Sequence, residues 1–404
     1  MKLRSTRLIL AVAAMTAVWL VCVTAPQAVA QAPKAPMAEQ VFKNVQALKG
    51  ITVDDFLGTM GVMSAAVGYD CSECHIGAGT DTVDWAADNP KKNTARRMVL
   101  MVNAINRDNF SGRRMVSCYT CHHGRDRPST TPTMDAVYGP GSSEMDDILV
   151  QMPGQPPAEK IIDKYLQALG GAQKLAAIKS YVATGTSVGF GGFGGGGKVH
   201  IYAKYPDHRT TLIEFEAATG RGESIRTYNG QTGWIKTPLT VLGQYETYGG
   251  ELAGAKVDAQ MSFPVQIKQV LTNLRVSLPT SISDLPGPSA QTAGQTAEGI
   301  GKDRVVNVVQ GTEGTGVNST YVTMYLDQES GLLLRMVRYA PSPIGRVPTQ
   351  MDFADYRSVN GVKMPFRLTF AWLDGRDAIQ LNDIKVNVPI DEKMFGTPEQ
   401  VKGK

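Results

Sequence analysis

The sequence predicts an α+β protein of two domains: a mostly α-helical first domain, then an antiparallel β-sheet domain with a flanking helix. Three observations predict it. All five cysteines fall before residue 122, four of them in a segment of helical periodicity. Strand-like runs with turn signals begin only after Ser180, and a stretch rich in Pro, Gly, Ser and Thr separates the two regions. At 404 residues the chain also exceeds what one core usually accommodates. The expected layout is a signal peptide over 1–30, a helical domain over 31–130, a linker over 131–157 and a sheet domain over 158–398.

The N-terminus carries Lys2, Arg4 and Arg7 ahead of an apolar run from Leu8 to Val23, and Ala28-Val29-Ala30 offers a small-x-small cleavage site. This pattern predicts export and cleavage after Ala30. The alternative is an uncleaved anchor, for which the run is near the short end. Val21 before Cys22 is a poor match to the small residue that lipoprotein processing requires. A periplasmic protein, soluble or peripherally attached to a membrane, is the expectation. The net charge of +4 is small for this length and gives no support to nucleic-acid binding.

In the helical domain, "DCSECHIG" and "SCYTCHHG" repeat Cys-x-x-Cys-His at Cys71–His75 and Cys118–His122. In c-type attachment two thiols add across the haem vinyl groups and the following histidine binds the iron, so spacing and order are chemically required. Zinc, thiol redox pairs and disulfides are the alternatives. Zinc does not need a histidine after each pair, and the gap from Cys74 to Cys118 lies outside the usual ribbon spacing. Redox dithiols predict neither the histidine nor the repetition. Two covalently attached haem c groups are therefore expected, anchored by Cys71, Cys74, Cys118 and Cys121, with His75 and His122 on the irons.

A helix precedes each motif. "TVDDFLGTMGVMSAAVGYDC" sets Phe56, Met60, Met63 and Val67 at helical spacing, with Gly68 to end the helix. "KKNTARRMVLMVNAIN" places Ala95, Met98, Met101 or Val102, and Ile105 on one face. Each helix thus offers two methionines. On a generic helix such residues are core filler, whereas beside a haem motif they suit a His/Met iron adapted to electron transfer.

The order of a Met-bearing helix, Cys-x-x-Cys-His, a helix with "ARRM" and "AIN", then "CYTCH-x-G-x-x-x-P" resembles the cytochrome c subunit of photosynthetic reaction centres, and more closely its two-haem exported versions. The resemblance covers about residues 37 to 128. It implies that Met60 and Met98 close the two irons, with Met101 as runner-up, and that the partners are redox proteins, a donor and an acceptor. The photosynthetic subunit has four haems from two such units, and this chain has one unit. His123 stands where relatives often have Arg, and a ligand role for it is not expected beside His122. Arg96-Arg97 and Arg113-Arg114 are candidates for haem propionates or an acidic partner, or simply a solvated basic face.

After the linker, "PAEKIIDKYLQALGG" predicts an amphipathic helix with Ile161, Ile162, Tyr165, Leu166 and Leu169 on one face and Gly170-Gly171 as its stop. Strands follow: "KVHIYAKY" up to the turn Pro206-Asp207, a pair around Glu329 to Gly331, and a hairpin at Asn360-Gly361. Two low-complexity insertions, "GFGGFGGGG" and residues 278 to 301, read as loops. His200 and His208 read as surface or core histidines, with a distant ligand role as the alternative. The helix, the strands and "YNGQTGW" are similar to exported domains related to outer-membrane lipoprotein carriers, which implies a curved sheet and a place for a lipid-like ligand. No catalytic constellation stands out. Three functions remain: a dihaem electron carrier, a haem enzyme or gas or peroxide sensor with one open iron, and a lipid or quinone carrier with accessory haems.

Overall fold

The structure, a computed structural model, describes residues 35–402 apart from 81, 129, 132–133, 135–146, 190–195, 216–221, 239–241, 283–302, 316–318 and 374. The expected signal peptide, much of the linker and most of both low-complexity insertions lie outside the described residues.

Among the described residues five helices come first: α1 (Ala38–Val41), α2 (Val53–Val67), α3 (Cys71–Cys74), α4 (Pro90–Phe110) and α5 (Cys118–His122). The start of α2 is set by Thr52, whose hydroxyl accepts from Asp55 N at 3.2 Å, and by Asp55 complementing the helix dipole. Its end is the predicted Gly68, left-handed at φ 71°. Asn89 caps α4 by accepting from Lys92 N at 2.8 Å, with Pro90 opening the first turn.

Then follow α6 (Ala158–Leu169) and α7 (Ala172–Ala176). The face predicted for α6 is the one buried, Ile162 completely. Each such side chain contributes about 1.5–3 kcal/mol before its ordering entropy is deducted. The strands are β1 (Ser180–Ser187), β2 (Gly197–Lys204), β3 (His208–Phe215), β4 (Glu223–Asn229), β5 (Gly233–Lys236) and β6 (Gln244–Thr247). After α8 (Gly249–Met261) and α9 (Ile267–Val270) come β7 (Thr272–Val276), β8 (Thr280–Ile282), β9 (Arg304–Glu313), β10 (Thr320–Asp327), β11 (Leu333–Ser342), β12 (Gly345–Val359), β13 (Val362–Trp372) and β14 (Gly375–Val386), and α10 (Pro398–Val401) closes the series.

All strands join one antiparallel sheet in the order β6-β5-β4-β3-β2-β1-β14-β13-β12-β11-β10-β9-β7, with β8 paired to β9. The three hairpins expected from sequence are present. At the β12–β13 turn Asn360 and Gly361 both have positive φ, as a two-residue turn with right-handed strand twist requires. Burial alternates along β2, where Val199, Ile201 and Ala203 enter the core.

The sheet is curved. Helix α8 touches β3 and β4 and also β10 and β11. Five strands separate β3 from β11 in the sheet order. In a flat sheet they would lie about 29 Å apart, far more than the roughly 10–12 Å diameter of a helix. The sheet therefore curls round its helices. The predicted α+β class, with a curved antiparallel sheet and a flanking helix, holds.

Pro36–Lys404 forms one compact unit. Helix α2 is its joint. Val62 and Ala66 share a buried cluster with Cys118, Ala340, Ile344 and Val347. Gly61 lets the Trp372 ring lie against the helix, since a Cβ there would stand 2.7 Å from it.

Candidate functional site

Both Cys-x-x-Cys-His motifs fold as single helical turns. At the first, Asp70 accepts from Ser72 N at 2.7 Å and starts α3, and His75 N closes the turn on Cys71 O at 2.8 Å. Asn89 ties this turn to the next helix, because its Nδ2 donates to Cys74 O at 2.7 Å while its oxygen caps α4. Lys92 Nζ donates to the carbonyls of Trp85 and Ala87 at 3.0 and 2.6 Å. The His75 ring lies 5.1 Å from that of Trp85. Burial, helped by the charge of Lys92, lowers the His75 pKa. This favours the neutral imidazole that a metal ligand must be.

At the second motif, Ser117 N donates to Thr120 Oγ1 at 3.0 Å, and His123 ends the turn in a left-handed conformation. His122 Nδ1 lies 2.9 Å from Arg125 O. A donor bond there fixes the tautomer and leaves Nε2 with its lone pair, the state an axial ligand needs. Asn106, 7% exposed, holds the approach to this motif: Nδ2 donates to Val116 O at 2.7 Å, and Oδ1 accepts from Met115 N and Val116 N, both at 2.9 Å.

The two turns are interlocked. Gly124 N, after the second motif, donates to Ala66 O near the end of the helix before the first, at 2.9 Å. Gly68 approaches so closely that a Cβ would stand 2.4 Å from Gly124 O.

The predicted iron-closing residues fall on different surfaces. On α2 the sheet-packing face holds Gly58, Val62 and Ala66, and helical spacing turns Phe56, Met60 and Val67, all half-buried, to the opposite side. Met63 packs against the Val62–Cys118 cluster. On α4, half-buried Met98 lies in the stripe with buried Val99, Val102 and Asn106, while Met101 is 45% exposed.

No disulfide joins Cys71, Cys74, Cys118 and Cys121. Among the described residues no three His, Cys, Asp or Glu side chains converge as a zinc site would need. Burial pushes the Cys74 and Cys118 thiols up. Ile76, directly after the first motif, and Leu100 and Met101 on α4 are 45–64% exposed. Such an unburied apolar surface is what a large, flat, apolar group would cover. The residues present therefore fit haem.

His200 lies 3.9 Å from Glu214 and stacks on Tyr202, and His208 lies 3.3 Å from Asp207 and against Phe395, so both have partners within the sheet region. Sequence reasoning passed over Asn89 and Asn106, whose part is to fix main chain rather than to touch a cofactor. The signal for Asn106 was present in the quoted "AIN".

Residues 13–148 match the family model of the photosynthetic reaction centre cytochrome C subunit. The photosynthetic reaction center cytochrome c subunit of Thermochromatium tepidum is 36% identical over 98 residues, which is 23% of this chain and 23% of that protein. The protein of the same description from Roseobacter denitrificans is 34% identical over 116 residues, 26% of this chain and 31% of that one. The chain thus spans about a quarter to a third of the length of these curated relatives. The resemblance read from the haem motifs is borne out. Among solved structures, a LolA superfamily protein from Nitrosomonas europaea matches with TM-score 0.35 and 13% identity, over 60% of this chain and 98% of that one. A putative outer membrane lipoprotein-sorting protein domain from Vibrio parahaemolyticus matches with TM-score 0.34 and 14% identity, over 58% and 97%.

Proposed function

We propose, from the match of residues 13–148 to the reaction centre cytochrome family, that the chain is an exported two-haem c-type cytochrome passing single electrons between protein partners. The observation that carries this reading is the repeated unit: a Met-bearing helix followed by a Cys-x-x-Cys-His helical turn, with His122 held through Nδ1. When bound, haem c supplies reversible one-electron oxidation and reduction at iron. The chain's own residues do the rest. Cys71, Cys74, Cys118 and Cys121 would anchor the two groups, and His75, His122, Met60 and Met98 would ligate their irons. Asn89 and Asn106 hold the motifs in place, so that little rearranges when an electron moves. Half-buried Met98 is favoured over exposed Met101 because a sixth ligand must be shielded from water.

The test is haem stoichiometry and coordination of protein matured with c-haem assembly machinery. Two covalent haems per chain, both low-spin with the methionine-to-iron charge-transfer band, are expected. A high-spin haem that binds carbon monoxide at neutral pH would favour the enzyme or sensor with an open iron.

A second reading concerns the interior of the sheet. Two adjoining cavities, each of about 100 Å³, share Ile201, Arg209, Asp258, Met351 and Leu368 in their walls. One is largely apolar, with Leu169, Phe263 and Met336. The other contains Arg338, 3% exposed and ion-paired with Asp258 at 3.3 Å but with Nη1 lacking a hydrogen-bond partner, and Thr247, whose buried Oγ1 also lacks one. Orphaned buried polar atoms beside an apolar chamber support a lipid-like ligand with an acceptor at one end. Calorimetric titration with oleate and with its methyl ester tests this: tighter binding of oleate is expected, and no heat from either would dismiss the ligand.

A further inference from the structure

Charge divides sharply along the helical segment. Residues 36–90 contain eight acidic and two basic side chains, a net of −6, whereas residues 91–128 contain nine basic and two acidic, a net of +7. Some of this is used internally. Lys91 pairs with Glu73, Arg96 pairs with Asp88 at 2.7 Å, and Arg107 pairs with Asp108 at 2.7 Å. Arg113, Arg114, Arg125 and Arg127 are different: all four are exposed, and no ion pair among the described residues engages them. Arg113 and Arg114 spend single bonds on the carbonyls of Phe110 and Ser342. Asp126, the one acidic neighbour in sequence, is hydrogen-bonded to Tyr69.

These arginines bracket the second motif. The chain that carries them is held before the motif by Asn106 and after it by the Gly124–Ala66 bond. At its middle Met115 and Tyr119 are 58% and 53% exposed and Cys121 is exposed. A small apolar centre with a rim of one charge suits a transient complex: the rim steers a partner of opposite charge, and the limited apolar area lets it leave.

We infer that the face carrying the second motif docks an acidic electron-transfer protein, with Met115 and Tyr119 at the centre and Arg113, Arg114, Arg125 and Arg127 at the rim. This rests on the electron-carrier reading above. Electrons exchanged with such a partner cross at the second motif, and the acidic first-motif half repels it.

The experiment uses the full-length holoprotein and two soluble redox probes of opposite charge, the acidic haem domain of cytochrome b5 and basic horse cytochrome c, in stopped flow. Haem is counted first. A chain without covalent haem would sink the carrier reading and this inference with it. With haem present, the rate with the acidic probe should fall at least about tenfold as salt rises from about 20 to 500 mM, and that with the basic probe should not fall. The combined variant R113E/R125E/R127E should lose about tenfold with the acidic probe at low salt, with haem content and both midpoint potentials unchanged. The lysine counterpart R113K/R125K/R127K should keep the rate. A salt-independent rate, or a charge reversal that shifts a midpoint potential and leaves the salt dependence intact, would overturn the inference and assign the arginines to haem propionates.

Discussion

Replacing Asp54 by asparagine tests how the helix that carries Met60 is seated. The Asp54 carboxyl is 4% exposed; Oδ2 accepts the Tyr248 N–H at the start of α8, and Oδ1 is buried without a hydrogen-bond partner. Burial raises its pKa from 3.8 to about 8; the Tyr248 N–H opposes this, and the negative charges of Glu251, Asp55 and Glu246 add to it. Between those two values the folded chain holds a proton that the unfolded chain has released. Stability therefore declines by about 1.36 kcal/mol per unit as pH rises from about 4 towards 8, and levels off above. Asparagine keeps an acceptor for Tyr248 and cannot ionise. The difference in unfolding free energy between Asp54→Asn and the parent should grow by about 4 kcal/mol in favour of the variant from pH 5 to pH 8, since every other titration cancels in the difference. Urea denaturation followed by far-ultraviolet circular dichroism at pH 5, 6, 7 and 8 measures it. Parallel stability curves would refute the argument, because they would mean that Asp54 titrates alike in the folded and unfolded chains.

Asn106→Ala should cost about 2–4 kcal/mol, because it removes three hydrogen bonds, from Met115 N and Val116 N and to Val116 O, and thermal melts should show the loss. Gly68→Ala combines a left-handed backbone with a Cβ only 2.4 Å from Gly124 O, so about 3 kcal/mol and a disturbed second-motif spectrum are expected, the latter because the clash is with the turn after His122. Met98→Leu should remove one of the two methionine-to-iron charge-transfer bands, whereas Met101→Leu should leave both; near-infrared spectra of the oxidised protein decide.

The parts of this structure that were legible in the sequence are those whose cause is local. Gly68 ends α2, the α6 stripe faces the core, and Asn360-Gly361 turns its hairpin, each through chemistry confined to a few neighbouring residues. The haem motifs were legible for the same reason, since covalent attachment demands a fixed short spacing. What the sequence withheld is non-local. Gly61 looks like a helix weakness until Trp372, more than three hundred residues away, is laid on it, and Asp54 looks like a first-turn acid complementing a dipole until Tyr248 buries it.

That asymmetry bears on function. Cys-x-x-Cys-His can be read anywhere in a chain, but whether its methionine helix is a free appendage or part of the sheet's own packing depends on contacts that periodicity does not encode. Here α2 reaches α5 through Ala66 and Gly124, the β11–β12 turn through Val62 and Ile344, and α8 through Asp54. Helix α8 in turn lines the Arg338 cavity with Glu251, Ala255 and Asp258. A shift of α8 would therefore act on the same helix that carries Met60, and the pH series on Asp54→Asn reads whether the carboxyl joining the two helices is buried and protonated.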